Sequence, residues 1–139
     1  MSLFNVFDIS GSAMSAQSVR LNTVASNMAN ADSVSSSVDK TYRARRPVFA
    51  AELEQAMSDK QSGVGVQVKG IVESNAPLIR EFNPNHPMAD KDGFVYKPNV
   101  NMVEEMTDMI SASRGYQTNV QVADAAKKML QQTLNMGKG

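Results

Sequence analysis

The chain has 139 residues, enough for one small domain. Its 14 basic and 14 acidic residues cancel, which removes the basic surface that nucleic-acid binding rests on. Cysteine is absent, and 42% of residues are hydrophobic but only 6% aromatic. Disulfides and thiolate metal sites are therefore excluded, and the core must come from Ala, Val, Leu and Met, side chains suited to helix contacts.

The first eight residues carry no basic stretch and no long apolar run, so no cleavable secretory signal is expected. No stretch reaches the roughly 18 apolar residues of a membrane span. Three zones follow: an N-terminal helix over 1–32, a central loop and small β-rich region over 33–98, and a long C-terminal helix over 99–139. The fold class expected is α+β, with the terminal helices forming a coiled-coil-like layer.

In the first zone Leu3, Phe7, Met14, Leu21, Val24 and Met28 fall on three-four spacing, with Ser10 and Gln17 in the two remaining positions. Ala13, Ala16, Ala25 and Ala29 add small apolar patches off that stripe. Asp8 and Arg20 are the only charges before Asp32, fewer than a solvent-exposed helix carries. This helix reads as one covered on several sides.

The segment 33–39 is a loop by composition. Residues 41–49 read as extended chain, 50–57 as a short helix and 58–63 as a further loop. Val64, Val66, Val68 and Val72 alternate as in a half-buried strand. Residues 78–82 form a second strand, and Phe94, Val95 and Tyr96 a third that ends at Pro98. Between these two, Asn83 to Pro87 and Asp90 to Gly93 are turn chemistry.

Asn101 is placed to cap the last helix, with Glu104 three residues on in a variant of the capping box. Glu104, Glu105 and Asp108 near its start and Lys127, Lys128 and Lys138 towards its end complement the helix dipole. Its stripe runs Met102, Met106, Met109, Ser113, Tyr116, Val120, Ala123, Lys127, Leu130 and Leu134, and Gly137 is a stop. Such a helix is roughly 50 Å long, more than the central zone covers. The two helices must pair with each other, with other copies, or both.

Little in the chain suggests chemistry. His86, the one histidine, sits in a turn, and without cysteine it has few nucleophiles to activate. Asp90, Asp92 and Gly93 resemble the start of a calcium loop, but Phe94 and Asn101 stand where later oxygen ligands belong, so a turn is the better reading. Glu104 and Glu105 are adjacent and point to different sides of a helix, as solvated or dipole-complementing groups. Arg43, Arg45 and Arg46 form a solvated face or reach neighbouring subunits, with the acidic first turn of the last helix as one possible partner. No cofactor and no metal are expected, and an enzyme is a distant reading.

The run from Ser10 and Gly11 through Gln17, Arg20, Leu21 and Asn22 to Asn27, Ala29 and Asn30 resembles the N-terminal signature of the flagellar rod and hook axial proteins. Residues 42–49, 83–87, 93–101 and 104–120 resemble the short proximal-rod members of that family. The polar loop from Asp32 to Tyr42 departs from the Thr-x-Gly-Tyr-like turn of many relatives. The resemblance implies a structural subunit of the basal-body rod in the periplasmic space. It also implies export by the flagellar type III apparatus without signal cleavage, and packing against other copies and other rod proteins (proximal and distal rod, rod–ring adaptor). Terminal helices of this family are typically poorly ordered before assembly, in keeping with how little an isolated helix gains without burial. The alternatives are another axial protein or a soluble coiled-coil adaptor for type III secretion.

Overall fold

The computed structural model describes residues 3–51, 63–137 and 139. Helix α1 spans Leu3–Asn30 and a 3-10 turn Val38–Lys40; strands β1 Arg45–Ala51, β2 Val66–Glu73, β3 Ile79–Phe82 and β4 Phe94–Lys97 follow, and helix α2 runs Met102–Gly137. The α+β class and the long terminal helices are as expected. Asn101 caps α2: its Oδ1 accepts from the Val103 N–H at 3.1 Å and, at 3.5 Å, from that of Glu104. The reciprocal half of the capping box is not made, because the Glu104 carboxylate binds Arg46 instead.

The two helices pack on each other as an antiparallel hairpin. Asn27, Arg20 and Gln17 of α1 meet Glu105, Asp108 and Gly115 of α2, in opposite chain order. At 1.5 Å per residue the 28 residues of α1 reach about 42 Å and the 36 of α2 about 54 Å. The longer helix overhangs, and residues 131–137 are all exposed.

The seam differs from the stripe read in the sequence. Its α2 side runs through Glu105, Asp108, Ala112 and Gly115 to Ala126, of which Glu105, Ala112 and Ala126 are buried. Met102, Met106, Tyr116 and Leu134 are exposed, while Met109, Val120, Ala123 and Leu130 are half-buried at the seam's margin. Small residues allow the two backbones to approach closely, and bulky methionines then fall outside the contact. Glu105, read as solvated, is 2% exposed, because Asn27 reaches it from across the seam. The α1 side is equally small or polar: Ser10, Ala16, Thr23, Val24 and Asn27 are its buried residues. Leu3, Phe7, Met14, Leu21 and Met28 are half-buried.

The strands form two separate antiparallel hairpins, β1 with β2 and β3 with β4. In the first, Arg45 opposes Glu73 and Ala51 opposes Val66, with an irregularity between Val48 and Phe49. Ala50 and Ala51 end β1 rather than starting a helix, since the β2 partner supplies hydrogen bonds that local propensity could not foresee. The rest of the expected helix and the loop after it, 52–62, lies outside the described residues, as does Lys138. This ribbon lies along α1: the Val66 N–H donates to Ser12 Oγ at 3.1 Å near one end, and Asn27 binds Arg45 at the other.

The β3–β4 hairpin has its own small core. Phe82 meets Phe94 edge to face, with ring centroids 5.1 Å apart, and the Arg80 guanidinium stacks 3.5 Å from the Phe94 centroid. The turn before β4 needs Gly93, whose φ is +79° and where a Cβ would lie 3.0 Å from the Phe82 ring. His86 Nδ1 accepts from the Met88 N–H, a loop-structuring role. Ser35 and Tyr96 exchange backbone hydrogen bonds that tie this hairpin to the segment after α1. No described helix is long and apolar enough to cross a membrane.

Candidate functional site

Two residues of the family-like motif, Arg20 and Asn27, lie at a junction between α1, α2 and the β1–β2 ribbon. At its centre is Asn27, 1% exposed. Its Nδ2 donates to the Arg45 carbonyl at 2.8 Å and to Glu105 Oε2 at 3.1 Å. Its Oδ1 accepts from the Tyr42 hydroxyl and from the Arg45 N–H, both at 2.9 Å. All four bonds of the amide are thus made, and one side chain joins three parts of the fold. Tyr42 is held further by its contact with Ser26 Oγ at 3.2 Å and by the Arg45 guanidinium, 5.4 Å from its ring centroid.

An ionic group lies beside this node. Arg20 of α1 donates to Asp108 Oδ1 at 2.7 Å, and Arg46 of β1 reaches Asp108 Oδ2 at 3.4 Å and Glu104 at 2.8 Å. Arg45 pairs across the ribbon with Glu73, and Arg43 donates to the Ser74 carbonyl. The arginines therefore meet acidic groups and carbonyls of their own chain; the acidic start of α2 is indeed the partner of Arg46, but within one subunit. Alternation in an extended segment gave the clustering of Arg43, Arg45 and Arg46, whereas their partners, up to 62 residues away, had no local signal.

The remaining motif residues divide between inside and outside. Ser10 is buried, and the Gln17 side chain lies against Gly115, with its Oε1 buried and without a hydrogen-bond partner among the described residues. Asn30 Nδ2 donates to the Ser26 carbonyl, and Ser33 Oγ to that of Asn30, closing the end of α1. Gly11, Asn22 and Ala29 face solvent in line with Ser15, Ser18 and Ala25, again on three-four spacing. From Gly11 to Ala29 this outer face of α1 is small and uncharged, and the same exposed line continues to Asp8 and Phe4 at its start. The outer face of α2 is bulky: Met102, Val103, Met106 and Ile110 are 37%, 73%, 51% and 54% exposed. The sequence reading counted the two methionines but missed Val103 and Ile110, which lie off its stripe and which the small seam turns outward.

Asp90 anchors the β3–β4 turn. Its Oδ1 accepts from the N–H groups of Phe94 and Asp92, both at 2.9 Å. The Phe94 bond is the main cause holding its carboxyl below the ordinary value, against a smaller opposing effect of burial; the Asp92 N–H, Arg80 and the Tyr96 hydroxyl add to the lowering. Among the described residues no group of three or more His, Asp or Glu side chains is placed to hold a metal ion.

Comparison with known proteins follows the same two-ended layout. The family model described as flagella basal body rod protein matches residues 7–35, and the one described as flagellar basal body rod FlgEFG protein C-terminal matches 91–136. These spans cover α1 from Phe7 on and α2 up to Met136, and so include Asn27 and Glu105 of the junction. The flagellar basal-body rod protein FlgC of Yersinia enterocolitica is 48% identical over 138 residues, covering 99% of this chain and all of that protein. That of Salmonella typhimurium is 45% identical over the same coverage. That of Borreliella burgdorferi is 34% identical over 152 aligned positions, with both chains covered in full.

Proposed function

The chain belongs to the flagellar basal-body rod protein family, and from that membership we propose that it is built into the proximal rod by packing the outer faces of its two terminal helices against neighbouring subunits. It is a structural subunit of the basal-body rod, not an enzyme. As such it forms part of the shaft that carries torque from motor to hook.

The observation that carries the assembly reading is the exposed ridge of Met102, Val103, Met106 and Ile110 on α2, four apolar side chains on one helical face that are 37% to 73% exposed among the described residues. Burying apolar surface contributes about 25 cal/mol per Å², so a neighbour that covers this ridge gains directly. The small outer face of α1 between Gly11 and Ala29 is the complementary kind of surface, because a helix face without bulky side chains lets another approach closely. The two faces belong to different sides of one hairpin, so joining them between copies is a heterologous contact that extends rather than closes. The half-buried Leu3, Phe7, Met14, Leu21 and Met28, with Met109, Tyr116, Val120, Ala123, Leu130 and Leu134, border these faces and enter the interface as its margin; Val24 stays inside the subunit. Other rod proteins and the rod–ring adaptor are the further partners, the flagellar type III export apparatus the route, and the periplasmic part of the basal body the location.

The test is deletion of the gene, complementation with a tagged chain, and mass spectrometry of purified basal bodies. The chain is expected in intact rods and motility is expected to return. Restored swimming with the chain absent from washed basal bodies would overturn the reading.

A further inference from the structure

The β1–β2 ribbon is joined to the helical hairpin unevenly. Its root is rigid: Asn27 holds both the N–H and the carbonyl of Arg45. Beyond that root the ribbon packs along α1 but stands off from α2. On that side a cleft of about 340 Å³ lies between β1 and the helix seam, lined among others by Val24, Pro47, Phe49 and Asp108. The backbones of β1 and α2 scarcely approach one another. What spans the gap is the Arg46 guanidinium, which reaches Glu104 and Asp108 on α2. Asp108 is itself held by Arg20 of α1, so the anchor point is fixed and the moving end is Arg46.

We propose that Arg46 is a releasable strap: the ribbon turns about its root at Arg45, and the Arg46 pairs to Glu104 and Asp108 hold it down over the cleft. The strap is suited to release. The side chains of Arg46 and Glu104 are 47% and 55% exposed, and ion pairs in that setting are weak and screened by salt. Unfastening it opens the cleft floor at Val24 and frees Phe49, already 40% exposed, without breaking the buried Asn27 node. The device lies within one subunit and does not depend on how subunits assemble.

The chain has no cysteine, so a pair of spin labels can be placed without background. Labels at Lys69→Cys on β2 and Ser111→Cys on α2 report the distance across the cleft in the purified monomer. At about 0.01 M salt the screening length is roughly 30 Å, and at about 1 M it is roughly 3 Å. The expected result is one narrow distance distribution at low salt that becomes longer and broader at high salt. Arg46→Gln should give the long, broad distribution at every salt concentration, and Arg46→Lys should restore a narrow, salt-sensitive one. A distribution that does not change with salt in the otherwise unaltered chain would overturn the strap, whether or not the Arg46 variants fold. So would an Arg46→Gln distribution matching that chain at low salt.

Discussion

The Asn27 amide donates to the Glu105 carboxylate at 3.1 Å between two side chains that are 1% and 2% exposed. A carboxylate so placed is kept in the seam by an amide that also holds the ribbon root. Asn27→Leu removes the partner of Glu105 and of the Arg45 N–H and carbonyl at once, and leaves the Tyr42 hydroxyl with Ser26 Oγ alone. Leaving buried polar groups unpaired costs about 1–3 kcal/mol each, so a loss of about 3 kcal/mol or more is expected in urea unfolding. Glu105→Gln keeps an oxygen that accepts from Asn27 and should lose about 1 kcal/mol. Equal losses in the two variants would show that this bond does not organise the junction.

Gly115 sits where a Cβ would lie 3.2 Å from Gln17 Nε2. That neighbour is the far end of a flexible side chain and can yield by a few tenths of an ångström. Replacing a mid-helix glycine by alanine gains about 1 kcal/mol of helix propensity, so Gly115→Ala should leave stability within about 1 kcal/mol of the original. Gly115→Leu forces the helices apart and should lose about 2 kcal/mol, and Gln17→Ala in the same chain should restore part of that. If Gly115→Leu costs nothing in thermal unfolding, the seam at this level is loose.

These two contacts mark where sequence reasoning stopped. The helix over Met102–Gly137 was legible because its signals are local: the Asn101 cap, the acidic start, the three-four spacing and the Gly137 stop. Which side of that helix turns inward was not local. Met102 and Met106 outweigh Ala112 and Ala126 in any hydrophobicity pattern, yet the alanines are buried and the methionines exposed. The choice is made by close approach of α1, whose own inward residues Ser10 and Gln17 looked like defects in a stripe. Glu105 could not be read as buried from its neighbours, because Asn27 lies 78 residues away. Ala50 and Ala51 read as helical for the same reason: alanine favours helix, and the β2 strand that overrides it pairs from across a long connection.

Asp90 predicts a pH dependence confined to the β3–β4 hairpin. Its folded pKa is lowered below the ordinary 3.8, chiefly by the Phe94 N–H. A depressed carboxylate contributes stability above its unfolded pKa and loses it as pH falls through the lower folded value. The turn should therefore hold at neutral pH and loosen in acid below about pH 4, the unfolded carboxylate range. Amide signals of Asp92 and Phe94 should shift and their protection fall there before α1 and α2 respond, and Asp90→Asn should flatten that response. Simultaneous loss of hairpin and helices would show that the hairpin has no independent stability.

The outer face of α2 separates assembly from folding. Val103 is 73% and Ile110 54% exposed, so an aspartate at either place stays hydrated in the monomer. Surface changes of this kind fall within about 0.5 kcal/mol, and at Val103, in the first turn of α2, a negative charge also suits the helix dipole. In a rod that covers the ridge, the same carboxylate is buried without a cation, which costs several kcal/mol unless it is paired or protonated. Val103→Asp and Ile110→Asp should therefore give a monomer with unchanged unfolding and a cell that does not swim, with the variant exported but missing from basal bodies. Ala112→Asp is the contrast: Ala112 is 0% exposed inside the hairpin, and its replacement should destabilise the monomer itself. Secretion has to be measured beside motility, so that a block in export is not read as a block in assembly. Normal swimming by both Val103→Asp and Ile110→Asp would remove this ridge from the subunit interface.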